Sequence, residues 1–426
     1  MSTPYRRNAK TPAGRIAATP STATWGGFFG LLQEYAGAAA GYSLRKIGSG
    51  PVVRLRRASD NEEQDFSAGE LTGSSEGSEE LTNGDFSNGS TGWNLSGWSI
   101  VGGQAVANAG GGLELLDQHA LDDQQVGDYI KVTFDLVACS DFANCGMQIN
   151  STSLSRFNTI LQINSTGTFS FLYYYDTKVN NRFRFYANNS ASMTIDNVSV
   201  VPYTPTAAES WVIDGRAGFQ RQTNESAFAT TWYDQSGSGN NATQATAASQ
   251  PLLIRAGVTE LENGKPAMVF DGTDDELTTS SLIPASNDMS SFTVNNFNGQ
   301  VATTAILGSD EATADRIRAT VVAGRMQLSV NGVNANFEGM GAFDSQQVYA
   351  VIKSGTAANA WESGSASTSN PAVSDSGAVD FNTIGWTTGL ADHYGGTVQE
   401  ILVYPSDQSA NRIGIEGNIN DHYGIY

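Results

Sequence analysis

Along most of the chain, apolar and polar residues alternate in short runs with a period of two, the pattern of strands buried on one face. Val53 and Leu55 alternate with Arg54 and Arg56, which predicts a strand with one buried and one basic face. Between Leu81 and Val201 five such runs recur, starting at Trp98, Tyr129, Thr168, Arg182 and Met193, with turn signals between them. That spacing suits a β-sandwich of roughly 120 residues. Further strands are predicted at 228–233, 267–270, 326–330, 348–352 and 398–404. The sharpest local signal is Asn331-Gly332, flanked by alternating runs from Met326 and Val333. Both turn positions need positive φ, so this is a tight hairpin. The C-terminal stretch predicts one helix, capped at Ser406 or Asp407, with Ile413, Ile419 and Tyr423 near one face.

Between these patterns lie segments with little to bury. Residues 68–80, AGELTGSSEGSEE, read as a linker, and PYTPTA at 202–207 as a proline-containing exit. Residues 24–40 read as an arm or short helix that packs Trp25, Phe28, Phe29, Leu32 and Tyr35 on its own body or on a partner. A signal peptide is not expected, because the apolar core Phe28-Phe-Gly-Leu-Leu32 is shorter than the usual stretch of about 7 to 15 residues. No run approaches the roughly 18 apolar residues of a membrane span.

Composition supports the all-β reading. Charged residues make up 15% of the 426, too few for long amphipathic helices, while aromatics at 10% can fill sandwich cores. Net charge is −20, which excludes a nucleic-acid groove on the body. The charge is also uneven. Residues 1–58 carry nine Lys or Arg, among them Arg6, Arg7, Lys10 and Arg15, against Glu34 alone. A basic leading segment on an acidic body can attach to an acidic partner and hold the body away from it. Cys139 and Cys145 are too few for a disulfide framework; they are read as free thiols, close enough in sequence to close a small loop.

Several blocks carry a resemblance. Tyr42-Ser-Leu-Arg-Lys46, Gly50-Pro-Val-Val-Arg-Leu-Arg-Arg57, the run from Thr230 to Gln244 (TTWYDQSGSGNNATQ) and Gly264 to Asp275 (GKPAMVFDGTDD) resemble a family of bacteriophage virion proteins, many of them marine. Their fold is a concanavalin-A-like or laminin-G-like sandwich related to the catalytic domain of B-type α-L-arabinofuranosidases. The match covers about residues 28–67 and 205–426. In that family the first and later blocks are separated by a short stretch, whereas here about 160 residues intervene. The resemblance therefore implies a second domain inserted into the first, as a surface loop with close ends tolerates. That insert in turn resembles carbohydrate-binding jelly-roll modules at Leu81-Thr-Asn-Gly-Asp-Phe86, Gly92-Trp93 and Ile195-Asp-Asn-Val-Ser-Val200.

The expected organisation is thus a basic docking arm at 1–40, a concanavalin-A-like sandwich from 41–79 plus 204–426, and a jelly roll at 80–203. In the modules that the insert resembles, a calcium ion often joins the first and last strands, and Asp85 and Asp196 occupy the matching places. Two readings of that pair stay open: calcium, which needs six to eight oxygens, or an Asx turn at Asp85 with Asp196 on backbone. Trp93, Trp98 and Tyr174 are the candidate sugar platforms, and core packing is their alternative. Asp234, Asp271, Asp274 and Asp275, in stretches rich in Gly, Ser and Thr, are expected to shape turns. His119, His393 and His422 form no triad pattern, and no local motif selects a pair of catalytic acids.

These expectations describe a non-enzymatic virion-surface protein made in the host cytoplasm: a fibre or tail-associated adhesin docked through Arg6, Arg7, Lys10, Arg15, Trp25, Phe28 and Phe29. Its partners would be other virion proteins, a host-surface glycan and further copies of itself in a homo-oligomer, a trimer being what the resemblance to fibres implies. The alternatives are a capsid cement protein without glycan binding and an arabinofuranosidase-type glycoside hydrolase.

Overall fold

The structure, a computed structural model, describes residues 30–108, 110–149, 155–156, 163–175, 180–213, 225–298, 303–310, 315–320, 324–341, 343–388 and 393–426. It is all-β, with three helices among the described residues: Leu31–Glu34, Ala207–Ile213 and Arg412–Tyr423. The strands form two hydrogen-bonded systems, each around its own core.

One system joins strands from both ends of the chain into a closed network. Val53–Arg57 pairs with Ala227–Trp232, and Ala40–Ser43 runs antiparallel to the far end of Gly395–Tyr404. Burial along Val53–Arg57 alternates as the sequence pattern requires, and the outward Arg54 meets Asp65 on the neighbouring strand. Strands Met289–Asn296 and Gly395–Tyr404 are buried at every position. Helices explain this. Val398, Ile401 and Val403 face the inner core, while Phe292, Val294, Leu402 and Tyr404 face outward onto Leu31 and the C-terminal helix. A strand covered on both sides has no polar face left to show.

The C-terminal helix buries Ile415, Ile419 and Tyr423, spaced four apart, and begins after Asn411. Ile413 is 74% exposed. Its expected place on the buried face fails because positions 413 and 415 lie about 200° apart around a helix of 3.6 residues per turn. At the hairpin, Asn331 and Gly332 take φ of 48° and 80° between Arg325–Val330 and Val333–Glu338, as the turn chemistry demands.

The second system holds the strands between residues 94 and 204. One sheet contains Asn94–Ser96, Glu114–His119, Cys145–Ile149 and Arg182–Ala187; the other contains Trp98–Val101, Gln104–Ala107, Tyr129–Cys139, Gly167–Tyr174 and Met193–Thr204. They enclose Phe134, Phe171, Phe183, Phe185 and Ile195. The segment read as a loose linker is tied down: Ala68–Leu71 forms a 3-10 turn that buries Leu71, and Ser75–Glu76 pairs with Tyr203–Thr204. Backbone hydrogen bonds are available to any sequence, so a run without apolar pattern can still join a sheet edge. On the outer face of the second sheet, Leu172, Tyr203 and Ile213 pack together with Tyr129, Tyr174 and Val258.

Candidate functional site

A groove of about 610 Å³ lies beside that junction. Its walls come from Ser75–Glu76, from Glu80, from the loop 123–129 and from the end of strand Met193–Thr204. The loop is held in place by two backbone bonds, Gly127 N to Tyr175 O at 2.7 Å and Tyr175 N to Asp128 O at 2.8 Å. Four carboxylates, those of Glu76, Glu80, Asp123 and Asp128, line the groove together with the rings of Tyr129 and Tyr203.

Each wall has its own bonding. Lys131 Nζ lies 2.8 Å from Glu76 Oε1 and 6.0 Å from the centre of the Tyr203 ring. The Tyr203 hydroxyl donates to the buried Glu209 carboxylate, which also accepts the backbone N–H groups of Thr206 and Thr259. Gln124 Nε2 donates to Glu80 Oε1 at 3.2 Å. Burial, with the negative charges of Asp123 and Glu79 added to it, holds the Glu80 carboxyl above the ordinary glutamate range. A groove with carboxylate acceptors and aromatic faces suits a ligand rich in hydroxyl donors.

The expected platform residues lie elsewhere. Trp93 and Trp98 are 6% and 5% exposed and belong to the core between the two sheets. Trp93 packs on Phe86 and donates its indole N–H to Asn83 O. Neither presents a face to a ligand, a correction that follows from how much apolar area an indole buries. Tyr174 is half-buried outside that core, while Tyr173 and Tyr175 point inward, as strand alternation requires. Its ring lies 4.9 Å from that of Tyr129, its cross-strand partner, so it backs a ring of the groove without lining it.

Asp85 and Asp196 are each engaged in local hydrogen bonds. Asp85 Oδ1 accepts Ser87 N and Oγ, and Asp196 accepts Asn197 N and Gln104 Nε2. The one group of three metal-ligating side chains found among the described residues is Asp271, Asp274 and Asp275. That trio shapes the turn after Met268–Asp271: Asp275 accepts Asp271 N at 2.9 Å, and Asp271 accepts Thr273 N at 2.7 Å. Burial, with Asp271 and Asp274 nearby, pushes Asp275 up to about 7. Asp234 likewise ties its loop together, accepting from Gly41, Ser236 and Asn240. The proposed docking residues Arg6, Arg7, Lys10, Arg15, Trp25, Phe28 and Phe29 lie outside the described residues. Sequence reasoning missed the groove because its carboxylates sit in two separated segments with no shared motif.

The chain is therefore an all-β protein whose build is that of β-sandwiches. No family model and no curated protein matches it. Among solved structures, an arabinofuranosidase complexed with arabinofuranosyl-α-1,2-xylobiose is similar at 12% identity and a TM-score of 0.40, covering 90% of this chain and 62% of its own. A GH54 α-L-arabinofuranosidase soaked with a cyclic sulfate inhibitor gives the same identity and coverage at a TM-score of 0.37. Trypanosoma rangeli sialidase complexed with 2,3-difluoro-KDN is similar at 10% identity and 0.34, over 46% of this chain and 31% of its own. The chain thus spans less than two thirds of each. All three are glycoside hydrolases, and the expectation of a non-enzyme finds no support among them. None of the three is a virion protein.

Proposed function

We propose that this protein recognises carbohydrate, and that the groove between loop 123–129 and Pro202–Pro205 is where it does so. The observation that carries the reading is the groove itself: about 610 Å³ with four carboxylates and the half-buried Tyr129 on its walls. Carboxylates accept hydrogen bonds from sugar hydroxyls, and tyrosine rings cover the C–H faces of a pyranose or furanose. Titration of a polysaccharide and oligosaccharide panel tests it directly. Saturable binding that weakens about tenfold in Asp128→Ala supports the assignment, and binding unchanged by changes at Glu80, Asp123 and Asp128 refutes it.

A second reading, hydrolysis of a glycosidic bond, is favoured by the raised Glu80 carboxyl beside Asp123. Glu80 would protonate the leaving oxygen while Asp123 acts as base or nucleophile. Release of sugar from the same panel, falling by roughly a hundredfold or more in Glu80→Gln, is the expected result. Display on a phage particle through residues 1–40, as a homo-oligomer, is the finer proposal, supported by the basic charge of that segment and the sequence resemblance. Deleting residues 1–40 should then abolish particle incorporation while the body stays folded.

A further inference from the structure

A second cavity, of about 200 Å³, lies on the other strand system and has the opposite electrostatic character. It is built where four distant segments meet: residues 44–46 after strand Ala40–Ser43, the turn Ala68–Leu71, the short strand Lys265–Pro266, and the end of the C-terminal helix. Its walls carry Arg45, Lys46, Lys265 and His422 and no carboxylate, on a protein with 43 acids and 23 basic residues. Leu44 and Pro266 supply an apolar side.

The four basic groups are not equivalent. Arg45 is already neutralised: its Nε and Nη2 sit 2.6 and 2.9 Å from the two oxygens of the buried Glu400, and its Nη1 donates to Asn418 Oδ1. Lys46 and Lys265 are different. Among the described residues neither ammonium has an ion-pair partner within 4.0 Å, although the chain has nearly twice as many acids as bases. Two ammonium groups without an ion-pair partner on the walls of one small concavity favour an anion there. His422 senses the basic groups. Burial first, then the charges of Arg45 and Lys265, hold its imidazole down to about 4 against the opposing pull of Glu400. Tyr423, whose ring stands edge-on 4.6 Å away, completes that surrounding.

We propose that this pocket binds a small oxyanion, with Lys46 and Lys265 as its two charged donors. The volume holds a carboxylate, sulfate or phosphate group with a few attached carbons against Leu44 and Pro266. The anion arrives either free in solution or as the acidic substituent of a sugar. The site is separate from the acidic groove and does not depend on carbohydrate being bound there.

Calorimetric titration of the full chain at low salt tests it, with inorganic sulfate, inorganic phosphate, glucuronate and glucose as probes. The expected result is saturable binding of at least one of the three anions, no binding of glucose, and an affinity that falls as salt is added. Binding of glucuronate in preference to the inorganic ions assigns the acidic-sugar source; the reverse assigns the free ion. Each of Lys46→Gln and Lys265→Gln should weaken binding about tenfold, and the double variant should lose it while keeping its melting temperature. A second readout follows the His422 ring by NMR: a bound anion stabilises the imidazolium, so its titration moves upward from about 4 in the wild type and stays put in the double variant. Absence of saturable binding of every anion overturns the proposal, and so does equal affinity in the wild type and the double variant. Because the groove variants are not used, failure here leaves the carbohydrate reading intact, and failure there leaves this one.

Discussion

Replacing Asp275 by Asn should make the protein more stable above neutral pH, by an amount the structure bounds. Asp275 is 5% exposed, accepts the Asp271 N–H at 2.9 Å and sits beside Asp271 and Asp274. Burial is the main reason its carboxyl is pushed from 3.8 up to about 7. Between those values the folded protein keeps a proton that the unfolded chain has released, so stability falls as pH rises through that window and levels off above it. At about 1.4 kcal/mol per tenfold in proton affinity, the ceiling on this loss is about 4 kcal/mol. Relaxation and water entry bring the realised value to about 1–3 kcal/mol. Asparagine keeps an oxygen for Asp271 N–H and cannot ionise. Urea denaturation of both proteins at pH 4.5, 6 and 8, followed by tryptophan fluorescence, measures the difference. The variant's stability relative to wild type should climb with pH and exceed it at pH 8. A difference that is the same at all three pH values refutes the account of Asp275.

Two further predictions concern packing and pairing. Arg45→Ala leaves Glu400 buried without its cation and should cost about 3–5 kcal/mol in denaturant titrations, most of it recovered when Glu400→Gln is added. Gly84→Ala places a methyl 1.8 Å from Val198 O, where Val198 N already bonds Gly84 O at 2.9 Å, so the two backbones must separate. A loss of about 2 kcal/mol or more in the same titrations, with lowered hydrogen-exchange protection of Val198, is expected.

Much of the strand content was readable from residue order, because each strand carries its own evidence. Met193, Ile195, Val198 and Val200 point to one side with a bulge between, and the structure buries all four. The Asn331-Gly332 turn needed nothing but local backbone preference. Helix facing was less legible: Ile413 and Ile415 are chemically alike, and only packing against Phe292 and Leu402 decides that Ile415 turns inward. Whether Trp93 and Trp98 serve as platforms or as core was open for a related reason. An indole serves a core or a ligand equally well, and the neighbours that settle it come from strands far along the chain.

The order of residues by itself determined the all-β class, the strand periods and the tight turns, since these depend on dihedral preference and alternation within a few positions. Tertiary structure alone decided which charges meet. Glu76, Glu80, Asp123 and Asp128 share a groove, while Lys46, Lys265 and His422 share a pocket. No run of neighbouring residues contains either set, because a site is assembled by long-range pairing such as Ala40–Ser43 against Gly395–Tyr404, and that pairing follows from burying the whole core at once.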